Sequence, residues 1–326
     1  MAEITCRDAL NQALMEEMER DPNTFIMGED VGLYEGSFKV TKGLLGHFGE
    51  KRVIDTPISE AGIVGMATGA AMTGLRPIAE LMTINFALVA MDQIMNHAAV
   101  IRYMFGGKAS VPVTIRAPGG GGNQLGAQHS HSLEGLFMHC PGLRVVVPSV
   151  PADAKGLLKS AIRSQDPVLF IEHEGLYGKK GDVPEEEYTI PLGEADIKRE
   201  GGDITLVALS RMVYVCLEAA EKLAEEGIEA EVLDLRCLNP LDMDTVLESV
   251  RKTHRVVTVE ESWLTGGWGG EIVSRILAGA FDDLDGPPLR VGGADVPMPY
   301  SKDLEQAAIP DADNVIERVR QLLPAR

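Results

Sequence analysis

Apolar residues in the first half of the chain alternate between helical spacing and short continuous runs. Residues 4–23 carry apolar side chains three and four positions apart until Asp21-Pro22 ends the pattern, which predicts an amphipathic helix. Residues 152–163 predict a second helix. Short apolar runs predict buried strands at 25–27, 53–54, 111–115, 143–147 and 168–171. This alternation is typical of right-handed crossovers in a parallel sheet.

The second half of the chain repeats the same rhythm after a charged stretch without long periodicity. Strands are predicted at DITLVAL, AEVLDL and RVVTVEE, and helices at VYVCLEAAEKLAEEG, DTVLESVRKT and GGEIVSRILAGAF. The sequence therefore predicts an α/β protein with two parallel-sheet, three-layer domains. We place these domains at residues 1–178 and 201–326, with a linker at 179–200.

Residues 62–72 are apolar on every face, so they predict a helix that is buried all round. Gly65 and Gly69 lie one helical turn apart, and neighbouring alanines add little bulk, so another backbone can approach closely. Tight packing within the chain and a helix crossing at a subunit interface both account for this pattern.

Composition and charge exclude several classes of protein. The 326 residues are 45% hydrophobic and 24% charged, as in globular proteins, and no apolar run reaches the length of a membrane span. The formal charge of −19 has the wrong sign for binding nucleic acid. The four cysteines form no C-x-x-C pair, and the first residues lack a secretory pattern, so we expect reduced thiols and a cytoplasmic protein.

Glu60 is the carboxylate that the pattern singles out. It follows the turn at Pro57 and immediately precedes the apolar helix, where an unpaired charge is costly. Such a position suits a proton donor or acceptor, although a glutamate in a first helical turn also complements the helix dipole. A further strand is predicted after helix 62–72, and Phe86 ends it, where a lone aromatic residue is commonly part of the core.

A run of four glycines, at residues 119–122, precedes His129-Ser130-His131. The run matches neither the phosphate-binding P-loop nor the dinucleotide-binding fingerprint. Glycines in such a run let the backbone flex or approach a ligand closely. A catalytic base, a pair of zinc ligands and an ordinary polar loop all remain open for the two histidines.

Several segments, taken together and in order, resemble the beta subunits of thiamine-diphosphate-dependent 2-oxoacid dehydrogenases, and most closely those of pyruvate dehydrogenase. They are FIMGEDVG, RVIDTPISEAGIVGMATGAAMTGLRPIAELM, AQHSHSLEGLFMHCPGLRVVVPS, ADAKGLLKSAIRSQDPVLF and GADVPMPY. The resemblance extends from the first helix to about residue 320. It implies a thiamine-diphosphate pyrimidine-binding domain followed by a transketolase C-terminal-like domain.

The resemblance also implies roles for particular residues. Glu60 matches the glutamate that shares a proton with the cofactor's pyrimidine ring, so that the aminopyrimidine can deprotonate the thiazolium carbon. Phe86 matches the aromatic residue that stacks on this ring. Met82, Ile58 and Glu29 match positions that line the same pocket.

Further matches concern acyl transfer and a structural ion. His129 matches a histidine that protonates a lipoamide sulfur during acyl transfer, whereas His131 stands where glutamine is common in the family. The family also holds potassium through main-chain carbonyls. The matching positions are Val113, Ala161, Ile162, Ser164 and Asp166.

The chain lacks the Gly-Asp-Gly and later asparagine pattern with which such enzymes hold the Mg²⁺-bound diphosphate. The resemblance therefore implies an alpha subunit that supplies this half of the site in an α2β2 assembly, and it favours an interface role for helix 62–72. It also implies that the C-terminal domain docks to a lipoyl acyltransferase core.

The reaction implied by the resemblance converts a 2-oxoacid such as pyruvate, together with lipoyllysine, into carbon dioxide and S-acyldihydrolipoyllysine. The stretches RYMFGGKA and GDVPEEEYTIP also resemble acetoin dehydrogenase beta subunits, and branched-chain 2-oxoacid dehydrogenases share the same Glu and His positions, so the substrate stays open. Two further alternatives are a metal-dependent hydrolase that uses His129 and His131, and a non-catalytic assembly subunit.

Overall fold

The computed structural model describes residues 1–323, which divide into two compact units. Unit 1 comprises residues 1–119 and 137–192, and unit 2 comprises residues 120–136 together with the chain from residue 193 onward. The glycine-rich segment 120–136 falls inside the first domain as predicted from sequence, but its backbone is hydrogen-bonded to side chains of unit 2. No helix in residues 1–323 is both long and apolar enough to cross a membrane.

Unit 1 combines a parallel sheet with flanking helices. Its strands are β1 (Ala2–Thr5), β2 (Thr24–Gly28), β3 (Val53–Asp55), β4 (Arg76–Glu80), β5 (Thr114–Gly119), β6 (Arg144–Val146), β7 (Val168–His173) and β8 (Lys180–Val183). Its helices are α1 (Cys6–Arg20), α2 (Leu44–Phe48), α3 (Glu60–Met72), α4 (Ile101–Met104), α5 (Glu134–Met138, which begins in unit 2) and α6 (Pro151–Arg163). Short 3-10 helices occur at Ile84–Leu88 and Glu174–Leu176, and a π-helix at Asp92–Ala98.

Local signals explain where the first helix begins and ends. The Thr5 side chain caps α1 by accepting a hydrogen bond from the Asp8 amide at 3.1 Å, and the helix ends where Asp21 becomes extended before Pro22. Leu10 and Leu14 are fully buried on its apolar face. The predicted amphipathic helix is confirmed.

The sheet of unit 1 runs in the order β6-β7-β5-β4-β2-β3, with every pair of neighbours parallel. Gly28 at the end of β2 is in register with Asp55 of β3 and Glu80 of β4. The carboxyl ends of these three strands therefore lie at one edge of the sheet, where ligands of parallel α/β sheets bind.

Unit 2 is a second α/β unit. Its strands are β9 (Asp196–Arg199), β10 (Ile204–Ala208), β11 (Ala230–Asp234), β12 (Cys237–Asn239), β13 (Val256–Trp263) and β14 (Leu289–Gly293). Its helices are α7 (Arg211–Glu225), α8 (Met243–Thr253), α9 (Trp268–Ala280), α10 (Lys302–Ala308) and α11 (Ala312–Arg320), with a 3-10 turn at Phe281–Asp283. The main sheet runs β14-β13-β10-β11-β9, parallel except for antiparallel β9. Its core includes Leu206, Val257, Ala219 and Val315.

Two predictions of local structure differ in detail from the structure. The stretch at 179–200 contains β8, which pairs with β1, and β9, which pairs with β11, so backbone pairing extends into the stretch predicted as a linker. The strand predicted at 111–115 lies further along, at Thr114–Gly119, although the Val113 carbonyl already accepts a hydrogen bond from the Val168 amide of β7.

The prediction that helix 62–72 is buried all round is wrong for the chain by itself. One face of α3 is buried through Ile63, Val64 and Ala67, but Met66 is 56% exposed and Met72 is 43% exposed. The sequence could not show which face of α3 is buried and which is exposed, since both faces are apolar. The helix therefore presents an apolar surface to its surroundings.

Candidate active site

The sequence-predicted pyrimidine-site residues lie at the carboxyl edge of the unit 1 sheet. Glu29 directly follows β2, Glu60 begins α3 after β3, and Met82 follows β4. Phe86 does not end a strand as predicted, because β4 ends at Glu80 and Phe86 lies in the 3-10 helix Ile84–Leu88. Because these three strands are parallel and adjacent, the fold brings the residues that follow them to one edge.

Glu60 is the buried acid of this edge, at 9% exposure, on the first residue of α3. Burial raises the pKa of nearby Glu29, with smaller contributions from the negative charges of Asp30 and Glu60. The raised pKa favours the protonated form of the Glu29 carboxyl. Ile58 is 74% exposed in the turn before α3, and Met82 and Phe86 are half-buried.

The loop after β2 is held against the same edge by Asp55. The Asp55 carboxylate accepts hydrogen bonds from the Gly32 amide at 2.6 Å and the Leu33 amide at 3.0 Å. A side chain at Gly28 would meet the main-chain oxygen of Glu80, since a Cβ there would lie 2.5 Å from it. The backbone around Glu29 is thus fixed by specific bonds and by close strand packing.

Beneath this edge lies a buried ionic cluster that sequence reasoning missed. Arg116 of β5 donates to Glu172 of β7 through two parallel hydrogen bonds, of 2.6 and 2.7 Å, and also donates to Glu80 of β4. The Tyr177 hydroxyl donates to Glu172 at 2.7 Å. Burial raises the pKa of Glu80, against the opposing effect of Arg116. The sequence carries one indication of this cluster, an arginine within the apolar run VPVTIRAP, because a buried charge has to be paired.

The carboxyl edge suits one half of thiamine diphosphate better than the other. A buried carboxyl group and half-buried Phe86 and Met82 suit a flat ring with a basic nitrogen. Glu29, Asp55 and Glu60 give the edge negative charge, which opposes a diphosphate. The residues present fit the pyrimidine ring, and they do not fit the diphosphate.

The two histidines of the HSH segment lie in unit 2. The Gly120 amide donates to the His131 carbonyl at 3.1 Å, and the His129 amide donates to the Gly126 carbonyl at 3.3 Å, so the segment forms a closed loop. The His131 ring meets Trp263 edge to face at 5.5 Å, and burial lowers the pKa of His131. Within residues 1–323, no group of three or more His, Cys, Asp or Glu residues is arranged to hold a metal.

The five carbonyls expected to bind potassium all accept hydrogen bonds. Arg76 donates to the carbonyls of Ile162 and Ser164, at 3.0 Å each. The remaining carbonyls, those of Val113, Ala161 and Asp166, accept from Val168, from the Ser164 amide and from the Ser164 hydroxyl. Each carbonyl oxygen keeps a second lone pair. A potassium ion there would share two carbonyls with the Arg76 guanidinium, and the site stays a prediction.

Two family models match the chain in succession. The transketolase pyrimidine-binding domain matches residues 2–180, and the transketolase C-terminal domain matches residues 193–315. A solved structure described as a split-gene transketolase, an inactive β4 tetramer, superimposes with a TM-score of 0.80 at 28% identity, covering 99% of each chain. The predicted fold class is therefore confirmed.

Curated relatives share about half of their residues with this chain. The pyruvate dehydrogenase E1 component subunit beta of Rickettsia felis is 50% identical over 320 residues, which cover 98% of each chain. The mitochondrial beta-2 subunit from Oryza sativa is 49% identical over 98% of this chain and 86% of its own length. The mitochondrial subunit from Bos taurus is 49% identical over 98% of this chain and 91% of its own length. Because these identities extend over nearly all of the sequence, the chain belongs to the family of pyruvate dehydrogenase E1 component beta subunits.

Proposed function

We propose that this chain is the beta subunit of a thiamine-diphosphate-dependent component that decarboxylates pyruvate and transfers the acyl group to lipoyllysine. The observation that carries the proposal is buried Glu60 at the carboxyl edge of a pyrimidine-binding domain. The names of the relatives support pyruvate as the substrate. Acetoin and branched-chain 2-oxoacids are the alternative substrates, which a panel of these compounds would distinguish.

Glu60 holds the proton on which the chemistry depends. When bound, thiamine diphosphate supplies a carbon nucleophile for the 2-keto group and then accepts the electrons released by decarboxylation. The Glu60 carboxyl would share its proton with a nitrogen of the pyrimidine ring, and its burial would keep water from competing for that proton. The pyrimidine ring would be held by Phe86, Met82, Ile58 and Glu29.

His129 acts in the second half-reaction. Reductive acylation breaks the S–S bond of the lipoyl dithiolane, so one sulfur takes the acyl group and the other takes a proton. His129 donates this proton, since imidazole is the side chain that most often acts as a general acid. His131 packs against Trp263 and orients the loop rather than binding a metal.

A partner subunit completes the site. Unit 1 offers carboxylates where a diphosphate would need cations, so we infer that an alpha subunit binds Mg²⁺ and the diphosphate in an α2β2 assembly. The solved relative is a tetramer of beta chains and is described as inactive, which supports this division. The exposed apolar face of α3 is the surface we assign to subunit contact. We also infer that the C-terminal domain docks to a lipoyl acyltransferase core. We infer further that the chain binds potassium and is cytoplasmic.

The Glu60→Gln variant, assembled with the alpha subunit, tests the first role. We expect decarboxylation, followed with an artificial electron acceptor, to fall by about 10²-fold or more, because the amide cannot share a proton with the ring. Glu225→Gln, on the exposed face of α7, is the matched control and should retain full activity. Unchanged decarboxylation in Glu60→Gln would overturn the role of Glu60.

The His129→Ala variant tests the second role. We expect it to spare decarboxylation with the artificial acceptor and to lower acyl transfer to lipoamide by about 10²-fold. Equal losses of both activities would contradict the assignment of His129. Tightly bound zinc, with activity that does not depend on thiamine diphosphate, would favour the hydrolase alternative.

A further inference from the structure

We propose that Glu305 of α10 is a positioning residue that fixes the loop carrying His129. This inference rests on the proposed function, since it takes His129 as the acyl-transfer acid. Glu305 follows the segment GADVPMPY, which contributes to the family resemblance and to which the mechanism above gives no role. The segment and the histidine loop both belong to unit 2.

Glu305 binds the loop through its main chain. Its side chain is only 1% exposed. One carboxylate oxygen accepts hydrogen bonds from the Gly122 amide and the Gln124 amide, at 3.0 Å each, and the other oxygen lies 3.1 Å from the Gln124 amide. Hydrogen bonds from N–H groups to a carboxylate are stronger than those to a neutral acceptor, and burial strengthens them further.

A second carboxylate and an arginine fix the beginning and end of the same loop. Glu261 of β13 accepts a hydrogen bond from the Gly121 amide at 2.7 Å and another from the Ser132 hydroxyl at 3.2 Å. Arg211, at the start of α7, donates to the Gly121 carbonyl at 3.1 Å. The loop is therefore tied to three elements of unit 2 on both sides of His129.

The loop backbone is held in conformations that need such support. Gln124 has a φ of 57°, in the left-handed region that side chains other than glycine rarely adopt. Gly126 has a φ of 74°, and a Cβ there would lie 2.3 Å from the Tyr300 ring. The Gly126 carbonyl then accepts the His129 amide at 3.3 Å. A continuous set of contacts thus leads from Glu305 through Gln124 and Gly126 to His129.

The Glu305→Gln variant of the assembled enzyme tests this role. Its amide places an N–H donor against loop amides that are themselves donors, so at least one bond is lost. We expect hydrogen exchange at the Gly122 and Gln124 amides to accelerate about tenfold, as for the loss of one such bond. Acyl transfer to lipoamide should fall by about the same factor, while decarboxylation with an artificial acceptor changes little. Glu305→Asp, which keeps the charge, should recover part of both effects.

Tyr300 provides a second variant that does not depend on a buried charge. Its side chain is largely exposed, so Tyr300→Ala should fold, yet it removes the ring that packs on Gly126. We expect the same selective loss of acyl transfer. Tyr300→Phe keeps the ring and is the matched control, which should behave as the parent enzyme.

The outcomes separate this inference from the proposed function. If Glu305→Gln loosens the loop but acyl transfer is unchanged, while His129→Ala abolishes it, Glu305 does not position His129. Equal losses of decarboxylation and acyl transfer in both the Glu305 and Tyr300 variants would also overturn the inference. If His129→Ala has no effect on acyl transfer, it is the proposed role of His129 that fails, and the exchange rates still report whether Glu305 holds the loop.

Discussion

At the scale of a single residue, Arg116 shows how a buried charge becomes necessary for the stability of the fold. Its guanidinium is 1% exposed and binds Glu172 and Glu80, which come from two other strands. We expect Arg116→Met to lower the free energy of unfolding by about 3–5 kcal/mol, because it leaves buried carboxylates without a cation. Urea denaturation followed by circular dichroism measures this change.

An exposed arginine is the control for this prediction. Arg275 pairs with Glu271 one helical turn away on α9, where about half of each side chain is exposed. Arg275→Met should change the free energy of unfolding by about 0.5 kcal/mol or less. An Arg116→Met variant as stable as Arg275→Met would show that the buried cluster stabilises no more than a surface pair.

Residues differ in how far the sequence alone could identify them. Glu60 and His129 were singled out as candidates because each stands beside a local anomaly, an apolar helix in one case and a glycine run in the other. Glu305 and Glu172 were missed, because their partners lie far away in sequence, at Gln124 and Arg116. Local periodicity carries no information on such pairs, since only the folded topology brings them together.

At the scale of elements, the strands and helices of the parallel sheets were predictable and their accessory pieces were not. Short apolar runs identified β2, β7 and β10, and β7 and β10 are buried at every position. Four-residue β1 and β8 were missed, because they form a separate ribbon and carry exposed and half-buried positions. The π-helix at Asp92–Ala98 was also missed, since its hydrogen-bond spacing leaves no simple repeat.

Helix α3 yields a prediction at the element scale, because its exposed face is the surface assigned to subunit contact. A Cβ at Gly69 would meet nothing within 4 Å, so this chain by itself tolerates a side chain there. Gly69→Ala should raise helix stability by about 1 kcal/mol in the isolated chain. Gly69→Leu should also fold, but we expect it to weaken assembly with the alpha subunit by at least about tenfold, because overpacking a close helix contact is costly.

Sedimentation of co-expressed subunits measures the assembly of these two variants. The graded series from glycine through alanine to leucine separates a steric effect from loss of folding, which thermal unfolding of the isolated chain monitors. If Gly69→Leu assembles as tightly as the parent chain, α3 does not cross a partner helix at Gly69, and the exposed apolar face has to be explained in another way.

At the scale of the whole molecule, charge and fold both support the proposal that this chain binds the pyrimidine ring and a partner subunit binds the diphosphate. The chain carries a formal charge of −19, and the carboxyl edge of unit 1 includes Glu29, Asp55 and Glu60. A pyrimidine ring is compatible with this edge, whereas a diphosphate is repelled unless cations accompany it. Two successive domain models and relatives about 49–50% identical show the family, and they support the proposal that this chain forms one half of a shared site.

The corresponding prediction concerns where thiamine diphosphate binds. Calorimetric titration of thiamine diphosphate with Mg²⁺ into the isolated chain should give no saturable heat, because this chain lacks the Gly-Asp-Gly pattern for the diphosphate. The same titration into the chain co-expressed with its alpha subunit should give saturable binding, and omission of Mg²⁺ should weaken it strongly, since the metal neutralises the diphosphate. Tight binding to the isolated chain would mean that unit 1 or unit 2 holds the diphosphate through residues not identified from the sequence. In that case the alpha subunit would be needed for substrate access or stability rather than for the cofactor, and Glu60→Gln would have to be retested in the isolated chain.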